Sequence, residues 1–138
     1  MVRLRRVLMW AGSIFLALAF GRAGISKLHG VEALRWSERF GRWGYPAGAS
    51  SLVGVLEILG ALGILIPRTR PAASLALTVL MVGAAITHVV HGEYVRVIPP
   101  AVLGGIACLI YWSDRRRARD QTRGKSCLLY TSPSPRDS

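Results

Sequence analysis

Residues 54–63 read GVLEILGALG, in which nine small or aliphatic residues surround a single carboxylate, Glu57. The apolar stretch continues on both sides, from Ser50 to Ile66. A membrane-spanning helix needs roughly 20 mostly apolar residues, with about 17 as a lower limit. We therefore predict a transmembrane helix over residues 49–66. A charge at the bilayer centre costs ~2.5–3.5 kcal/mol on insertion scales, so Glu57 needs a partner, a proton or a task there.

Three further apolar blocks have a similar length, and they predict helices over residues 7–26, 72–90 and 97–112. Only 18% of the 138 residues are charged, against about 25% in soluble domains. Short connections between the later blocks favour antiparallel neighbours. The sequence therefore predicts an all-α integral membrane protein, an antiparallel four-transmembrane-helix bundle within a single membrane domain, residues 1–114.

The net charge of +11 is distributed unevenly along the chain. Basic residues cluster before the first block, in the turn at residues 67–71 and after the fourth block. With four spans these three regions share one side, and the positive-inside rule places that side and both termini in the cytoplasm. Residues 115–126 are then a basic cytoplasmic tail attracted to anionic lipid. This distribution argues against a nucleic-acid partner and makes the lipid bilayer the expected one.

The two ends of the chain each allow an interpretation other than part of the membrane domain. The N-terminus also has the pattern of a signal peptide, although the segment stays apolar beyond the Ala17-Leu18-Ala19 site. Residues 127–138, CLLYTSPSPRDS, look like translated sequencing adapter and carry no weight in the functional argument. The remaining cysteine, Cys108, is expected to be a small packing residue, and the sequence has no CxxC pair.

The connection between the first two blocks contains the segment VEALRWSERFGRW, residues 31–43, which has helical periodicity. Its apolar positions fall on one face and its arginines on another; the apolar face consists of Ala33, Trp36, Phe40 and Trp43. This pattern predicts a helix that lies in the membrane interface, with aromatic rings at headgroup depth. The alternative is an ordinary loop anchored by aromatic residues.

The second predicted helix also carries a stripe of small residues. Gly54, Gly60 and Gly63 are separated by multiples of three residues and fall on the same side as Glu57. Small residues allow helix backbones to approach closely in lipid, where association depends on packing. We therefore expect these glycines to pack against another helix, and Glu57 to face protein rather than lipid.

The ionisable residues of the predicted helices share a similar depth. Counting 1.5 Å per residue from the helix ends places five of them in the outer half of the bundle: Arg22, Lys27, Glu57, His88 and His91. Because different helices contribute them, they could converge on one cavity. Glu57 could form an ion pair with Arg22 or Lys27. It could instead be protonated and contact a ligand or exchange a proton, or it could serve assembly.

His88 and His91 fall roughly on one helix face and could form hydrogen bonds or transfer protons. His91 could also be a simple helix-end residue in the interface. Bis-histidine haem ligation needs a histidine on an opposing helix, and the third histidine, His29, lies in the predicted connection after the first helix. A metal site of His88, His91 and Glu93 matches no familiar spacing. We therefore predict no metal and no covalently bound cofactor.

Several of these segments together resemble a known family. The segments are AGISKLHG, Gly44-Tyr45-Pro46, GVLEILGALGIL and MVGAAITHVVHGE, with Phe40 and the Pro-Arg turn between them. In this order and spacing they resemble the DoxX-like family of small four-helix bacterial membrane proteins, over residues 7–112. The resemblance singles out the following positions: Gly24, Lys27, Gly44, Pro46, Glu57 and His88.

The family takes its name from a subunit of a quinol oxidase and thiosulfate:quinone oxidoreductase. The resemblance therefore implies a multi-pass protein of the bacterial inner membrane that is an accessory rather than a catalytic subunit of an oxidoreductase. It implies a membrane redox partner, and a quinone headgroup or another small amphipathic molecule in the outer cavity. Two alternatives stay open: a proton- or cation-coupled transporter with Glu57 as its site, and a purely structural membrane partner. Homo-oligomer formation is also compatible with the sequence.

Overall fold

The computed structural model describes residues 1–131, and the described chain is helical with no strand. Five α-helices are joined by short connections, and a short 3-10 helix, Tyr94–Val97, precedes the last of them. The α-helices are α1 (Val2–Leu28), α2 (Gly30–Arg42), α3 (Ala49–Leu65), α4 (Arg70–Val90) and α5 (Ile98–Thr131). The predicted all-α class is confirmed.

Three segments are long and apolar enough to cross a membrane by length and composition: α1, α4 and the continuous helical segment Tyr94–Leu129. Helix α3 is also apolar but shorter, with 17 residues, which is about the lower limit for a span. The chain is therefore a multi-pass membrane protein. The crossing of the bilayer by α3 stays a prediction.

Two helices extend beyond the predicted bounds. Helix α1 begins at Val2 rather than at residue 7, and α5 continues to Thr131 rather than ending at residue 112. The basic segment 115–126 is thus helical, because it is rich in arginine, which favours helix, and contains no proline. The first residues of the adapter-like segment, 127–131, belong to the same helix, and residues 132–138 lie outside the described part of the chain.

The helices pack in the order α1 against α3, α3 against α4, and α4 against α5. Their shared core is apolar; its most buried large side chains are Leu16, Phe20, Ile64 and Leu77. Large apolar side chains also cover the outside of the bundle, as at Leu18, Leu59, Val79 and Leu109. An apolar exterior of this extent suits contact with lipid.

The small residues of α3 lie at contacts with two different helices. A Cβ on Gly54 would lie 3.0 Å from the carbonyl oxygen of Gly24 in α1, and one on Gly60 would lie 2.5 Å from Leu77 Cδ2 in α4. Gly63 faces Ala73 of α4 in the same way. The glycine stripe thus lets α3 approach α1 at one end and α4 at the other.

Helix α2 has the two faces that its sequence pattern predicts. Its apolar face is half-buried against the bundle, through Ala33, Trp36, Phe40 and Trp43, whereas Arg35 and Arg42 are exposed. Arg39 departs from this pattern, because its half-buried side chain lies over the Trp36 ring. We call the end of the bundle that α2 covers the α2 end, and the opposite one, with the arginine-rich segments, the basic end.

Candidate functional site

The last turn of α1 and the middle of α3 bring two charged side chains together at the α2 end. Lys27 Nζ donates hydrogen bonds to Glu57 Oε2 at 2.8 Å and to Glu57 Oε1 at 3.1 Å. Both residues are buried, with exposed fractions of 6% and 3%. The glycine contact between α1 and α3 makes this pairing possible, since a Cβ on Gly54 would already lie 3.0 Å from Lys27 Cβ.

Of the two predicted cationic partners of Glu57, the structure selects Lys27. Arg22 lies five residues earlier on α1, about 140° around the helix at 3.6 residues per turn, and its side chain is exposed. A buried ion pair is tolerable only when the remaining hydrogen-bonding capacity is also used. Here both carboxylate oxygens accept from Lys27, and Nζ also lies 3.5 Å from the carbonyl oxygen of Ala23.

Trp36 of α2 covers this ion pair. Lys27 Nζ lies 4.4 Å from the centroid of the Trp36 ring, and the guanidinium carbon of Arg39 lies 5.0 Å from the same centroid. Such distances allow cation–π attraction. The sequence pattern placed Trp36 on the apolar face of an interfacial helix and did not connect it with Lys27. The sequence feature that could have indicated this contact is the one-residue link at His29, which brings α2 back over the end of α1.

We expect the shield over Lys27 to be measurable by amine labelling. The chain has two lysines, and Lys125 is exposed, so it serves as an internal reference. Lys27 should react at about one-tenth of the Lys125 rate or more slowly still, because labelling of a buried amine requires local opening of the structure. Trp36→Ala should raise the Lys27 rate, and Trp43→Ala, just past the C-terminal end of α2, should leave it unchanged. Equal Lys27 rates in the wild type and in Trp36→Ala, measured by mass spectrometry, would remove Trp36 as the cover.

Aromatic rings continue from Trp36 along the C-terminal half of α2. Phe40 lies 6.3 Å from Trp36, 5.4 Å from Trp43 and 5.4 Å from Tyr45 between ring centroids. The Tyr45 hydroxyl lies 2.7 Å from Thr87 Oγ1 of α4. We call these four rings the α2 aromatic cluster: Trp36, Phe40, Trp43 and Tyr45. The cluster links α2 to α1 through Lys27 and to α4 through Thr87.

The two predicted histidines of α4 both contact Trp43. His88 meets the Trp43 ring edge-on at 5.3 Å, and its Nδ1 lies 2.8 Å from Glu93 Oε2. The His91 ring lies 5.7 Å from Trp43, and its Nδ1 donates to the carbonyl oxygen of Thr87 at 2.8 Å. Among residues 1–131, no group of three or more His, Cys, Asp and Glu side chains is placed to hold a metal ion.

The five predicted site residues therefore fall into three places. Lys27 and Glu57 form the buried ion pair, His88 and His91 flank Trp43, and Arg22 is exposed. The α2 aromatic cluster lies between the ion pair and the histidines, and the sequence pattern gave Trp36, Phe40 and Trp43 only an anchoring role. Position along a predicted helix gives the depth of each residue, but it does not show where α2 lies against the other helices.

A cavity of about 210 Å³ lies elsewhere at the α2 end, between the C-terminal half of α2, the following loop and the start of α3. Its lining residues are Ser37, Phe40, Gly41, Tyr45, Pro46, Ala47, Gly48 and Ser50. The five predicted site residues are not among them. Gly41 lines this cavity, is helical and has open space where a Cβ would lie, so a larger side chain there is accommodated without backbone strain.

The His88–Glu93 pair gives a prediction about pH. The hydrogen bond from His88 holds the pKa of Glu93 below its ordinary value of 4.5, and Arg96 and Arg39 act in the same direction. Because the folded-state pKa is the lower one, the stabilisation by Glu93 is present above the unfolded-state pKa. It is lost as the pH falls through the folded-state pKa.

We expect His88→Phe to raise the pKa of Glu93, because the largest cause of its lowering is removed. Difference infrared titration against Glu93→Gln would follow this carboxyl alone. His91→Phe is the matched control, since His91 bonds Thr87 instead. A Glu93 pKa that is the same in His88→Phe and in the wild type would contradict the pairing.

The matched family model covers the site and most of the helical core. A model described as the DoxX-like family matches residues 11–110, a range that includes Lys27, Glu57, His88 and the α2 aromatic cluster. Comparisons with curated proteins and with solved structures gave no match. Since the match extends over more than half of the 138 residues, this membrane protein belongs to the DoxX-like family.

Proposed function

We propose that this DoxX-like membrane protein is an accessory subunit of a membrane redox complex and binds a quinone headgroup at its α2 end. The observation that carries this proposal is the cavity beside the α2 aromatic cluster. Its volume of about 210 Å³ is below the roughly 300–1,000 Å³ of most ligand pockets. It therefore suits a single ring rather than an extended polar ligand.

The lining of the cavity has the chemistry that a quinone ring needs. Phe40 and Tyr45 offer aromatic surfaces, against which a flat ring can stack. The hydroxyl groups of Ser37 and Ser50 are hydrogen-bond donors for a ring carbonyl oxygen. The prenyl tail would extend along the apolar exterior of the bundle. A partner protein would hold the redox centre, because the sequence has no haem, flavin or iron–sulfur motif.

The proposed membrane arrangement has four helices that cross the bilayer in alternating directions, with α2 in the outer interface. Two contacts support the alternation of α3 and α4, since Gly60 meets Leu77 whereas the later Gly63 meets the earlier Ala73. The concentration of arginines at the basic end supports a cytoplasmic location of both termini in a bacterial inner membrane.

Filling the cavity tests the ligand assignment. The purified protein in nanodiscs would be titrated with decylubiquinone while the quenching of tryptophan fluorescence is recorded. Gly41→Leu should weaken binding about tenfold or more, because the added side chain competes with the quinone ring for the small space that Gly41 lines. Gly105→Leu is the matched control, since Gly105 lies in α5 and also has open space at its Cβ position. Equal affinities of the wild type and both variants would reject the cavity as the quinone site.

A purely structural role is the second candidate, and the Lys27–Glu57 pair favours it. Both oxygens of Glu57 are already bonded to Lys27 in a buried position, so a proton-exchange role for Glu57 would require breaking the pair. A structural subunit should retain its partner complex when both residues are replaced by apolar ones of similar size. A ligand-binding or transporting protein that uses the pair should also keep its complex, but it should lose its binding or transport activity. Activity is therefore the readout that separates the two roles.

A further inference from the structure

A second group of buried charges lies at the basic end, away from the proposed quinone cavity. Arg70, the first residue of α4, is 4% exposed. Its Nε donates to the carbonyl oxygen of Ile64 at 3.1 Å, and its guanidinium carbon lies 4.8 Å from the centroid of the Trp10 ring. Its Nη2 is also buried, yet this atom has no hydrogen-bond partner within the described chain.

Asp114 of α5 shows the complementary feature. Its Oδ2 atom is buried and has no hydrogen-bond partner among residues 1–131. Three arginines lie close enough to act on this carboxylate electrostatically: Arg70, Arg117 and Arg5. Arg5 Nη2 also donates to the carbonyl oxygen of Ser113 at 2.9 Å. Helices α1, α4 and α5 thus place three arginines in the electrostatic neighbourhood of one carboxylate, which leaves an excess of positive charge there.

The unused atoms define the chemistry of a ligand. Leaving a buried charged group unpaired is costly, so Arg70 Nη2 favours an anionic acceptor. Asp114 Oδ2 favours a donor such as a hydroxyl or ammonium group. A phosphate ester that carries a hydroxyl group nearby supplies both, and the charge excess matches its negative charge. Basic pockets between transmembrane helices are known to bind lipid headgroups of this kind.

We propose that the basic end binds the headgroup of an anionic glycerophospholipid, such as phosphatidylglycerol. Arg70 and Arg5 hold the phosphate group, and Asp114 accepts a hydrogen bond from a glycerol hydroxyl. A headgroup that arrives from the membrane surface meets the exposed Arg5 and half-buried Arg117 before it reaches the buried Arg70. The lipid joins the ends of α1, α4 and α5. This assignment does not depend on the proposed quinone site.

Native mass spectrometry of the full chain in mild detergent tests the proposal. The protein is offered equal amounts of phosphatidylglycerol and phosphatidylcholine. The wild type should retain one phosphatidylglycerol molecule with at least about tenfold preference, and Arg70→Gln and Arg5→Gln should each weaken its binding about tenfold. Arg68→Gln is the matched control, because Arg68 is an exposed arginine at the same end. Circular dichroism verifies the helical content of each variant, and Arg5→Gln carries the test if Arg70→Gln does not fold.

Two further comparisons identify the ligand. Asp114→Asn should reduce the preference for phosphatidylglycerol over phosphatidic acid, which lacks the headgroup glycerol. Soluble glycerol 3-phosphate should not displace the lipid, and displacement at similar concentrations would assign the site to a soluble phosphate ester instead. Equal losses in Arg5→Gln, Arg70→Gln and Arg68→Gln would show general surface attraction and would overturn the proposal. So would equal retention of phosphatidylglycerol and phosphatidylcholine by the wild type.

Discussion

Glu57→Gln is expected to destabilise the protein by ~3–5 kcal/mol, because it leaves the buried Lys27 ammonium without a counter-charge. Lys27→Met should have a similar effect, since it leaves the Glu57 carboxylate buried and unpaired. The double variant Lys27→Met/Glu57→Leu should recover most of this loss. Replacing a whole buried ion pair by apolar residues of similar volume is often neutral or stabilising.

Reversible unfolding in mixed micelles, with increasing SDS, would give the free energy of unfolding of each variant. Glu38→Gln is the control, because Glu38 is an exposed acidic residue of α2, and it should change this free energy little. A double variant as unstable as the single variants would mean that the site stabilises the fold through more than mutual neutralisation. A stable Glu57→Gln protein would contradict a permanent buried ion pair.

Gly24→Ala should produce the second large loss of stability, because the added methyl group meets the backbone of α3 as well as a side chain. The new Cβ would lie 2.7 Å from the carbonyl oxygen of Gly54 and 2.7 Å from Ile58 Cγ1. The backbone of α3 can yield only by moving away from α1. We expect a loss at or above the upper end of the ~1–3 kcal/mol that overpacking usually costs.

Two other glycines calibrate this result in the same unfolding assay. A Cβ on Gly60 would approach Leu77 Cδ2 to 2.5 Å and Leu77 Cγ to 2.7 Å. Leu77 is buried, but its side chain can change rotamer whereas the Gly54 carbonyl group cannot, so Gly60→Ala should cost less. Gly21→Ala adds a methyl group with no heavy atom within 4 Å. It should be neutral or stabilise helix α1 by up to about 1 kcal/mol. A Gly24→Ala protein as stable as Gly21→Ala would contradict the close contact of α1 and α3.

The two predictions concern one structural feature, because the glycine contact is what brings Lys27 to Glu57. If Gly24→Ala moves α1 away from α3, the pair at 2.8 Å should lengthen. Lys27 should then react faster with amine reagents, even with Trp36 in place. If Gly24→Ala is destabilised but its Lys27 labelling rate is unchanged, the ion pair has persisted and the loss of stability has another cause.

Much of the architecture follows from local sequence. Long apolar blocks dictate helices because a backbone in lipid must satisfy its own hydrogen bonds. The periodicity of residues 31–43 likewise indicated the half-buried aromatic face of α2. The segment around GVLEILGALG, together with AGISKLHG and MVGAAITHVVHGE, was sufficient to indicate the DoxX-like family, which the match over residues 11–110 confirms. The depth of Glu57 also reduced its ion-pair partners to Arg22 or Lys27.

The sequence by itself therefore determined the helices, the membrane class, the family and a short set of candidate residues. Only the tertiary structure decided that Lys27 pairs with Glu57, that Trp36 covers the pair, and that Arg70 and Asp114 each bury a polar atom without a hydrogen-bond partner at the basic end. The physical reason is that periodicity fixes which side chains share a face of one helix. The rotation of that helix against its neighbours is set by close packing, here by the contact between Gly24 and Gly54.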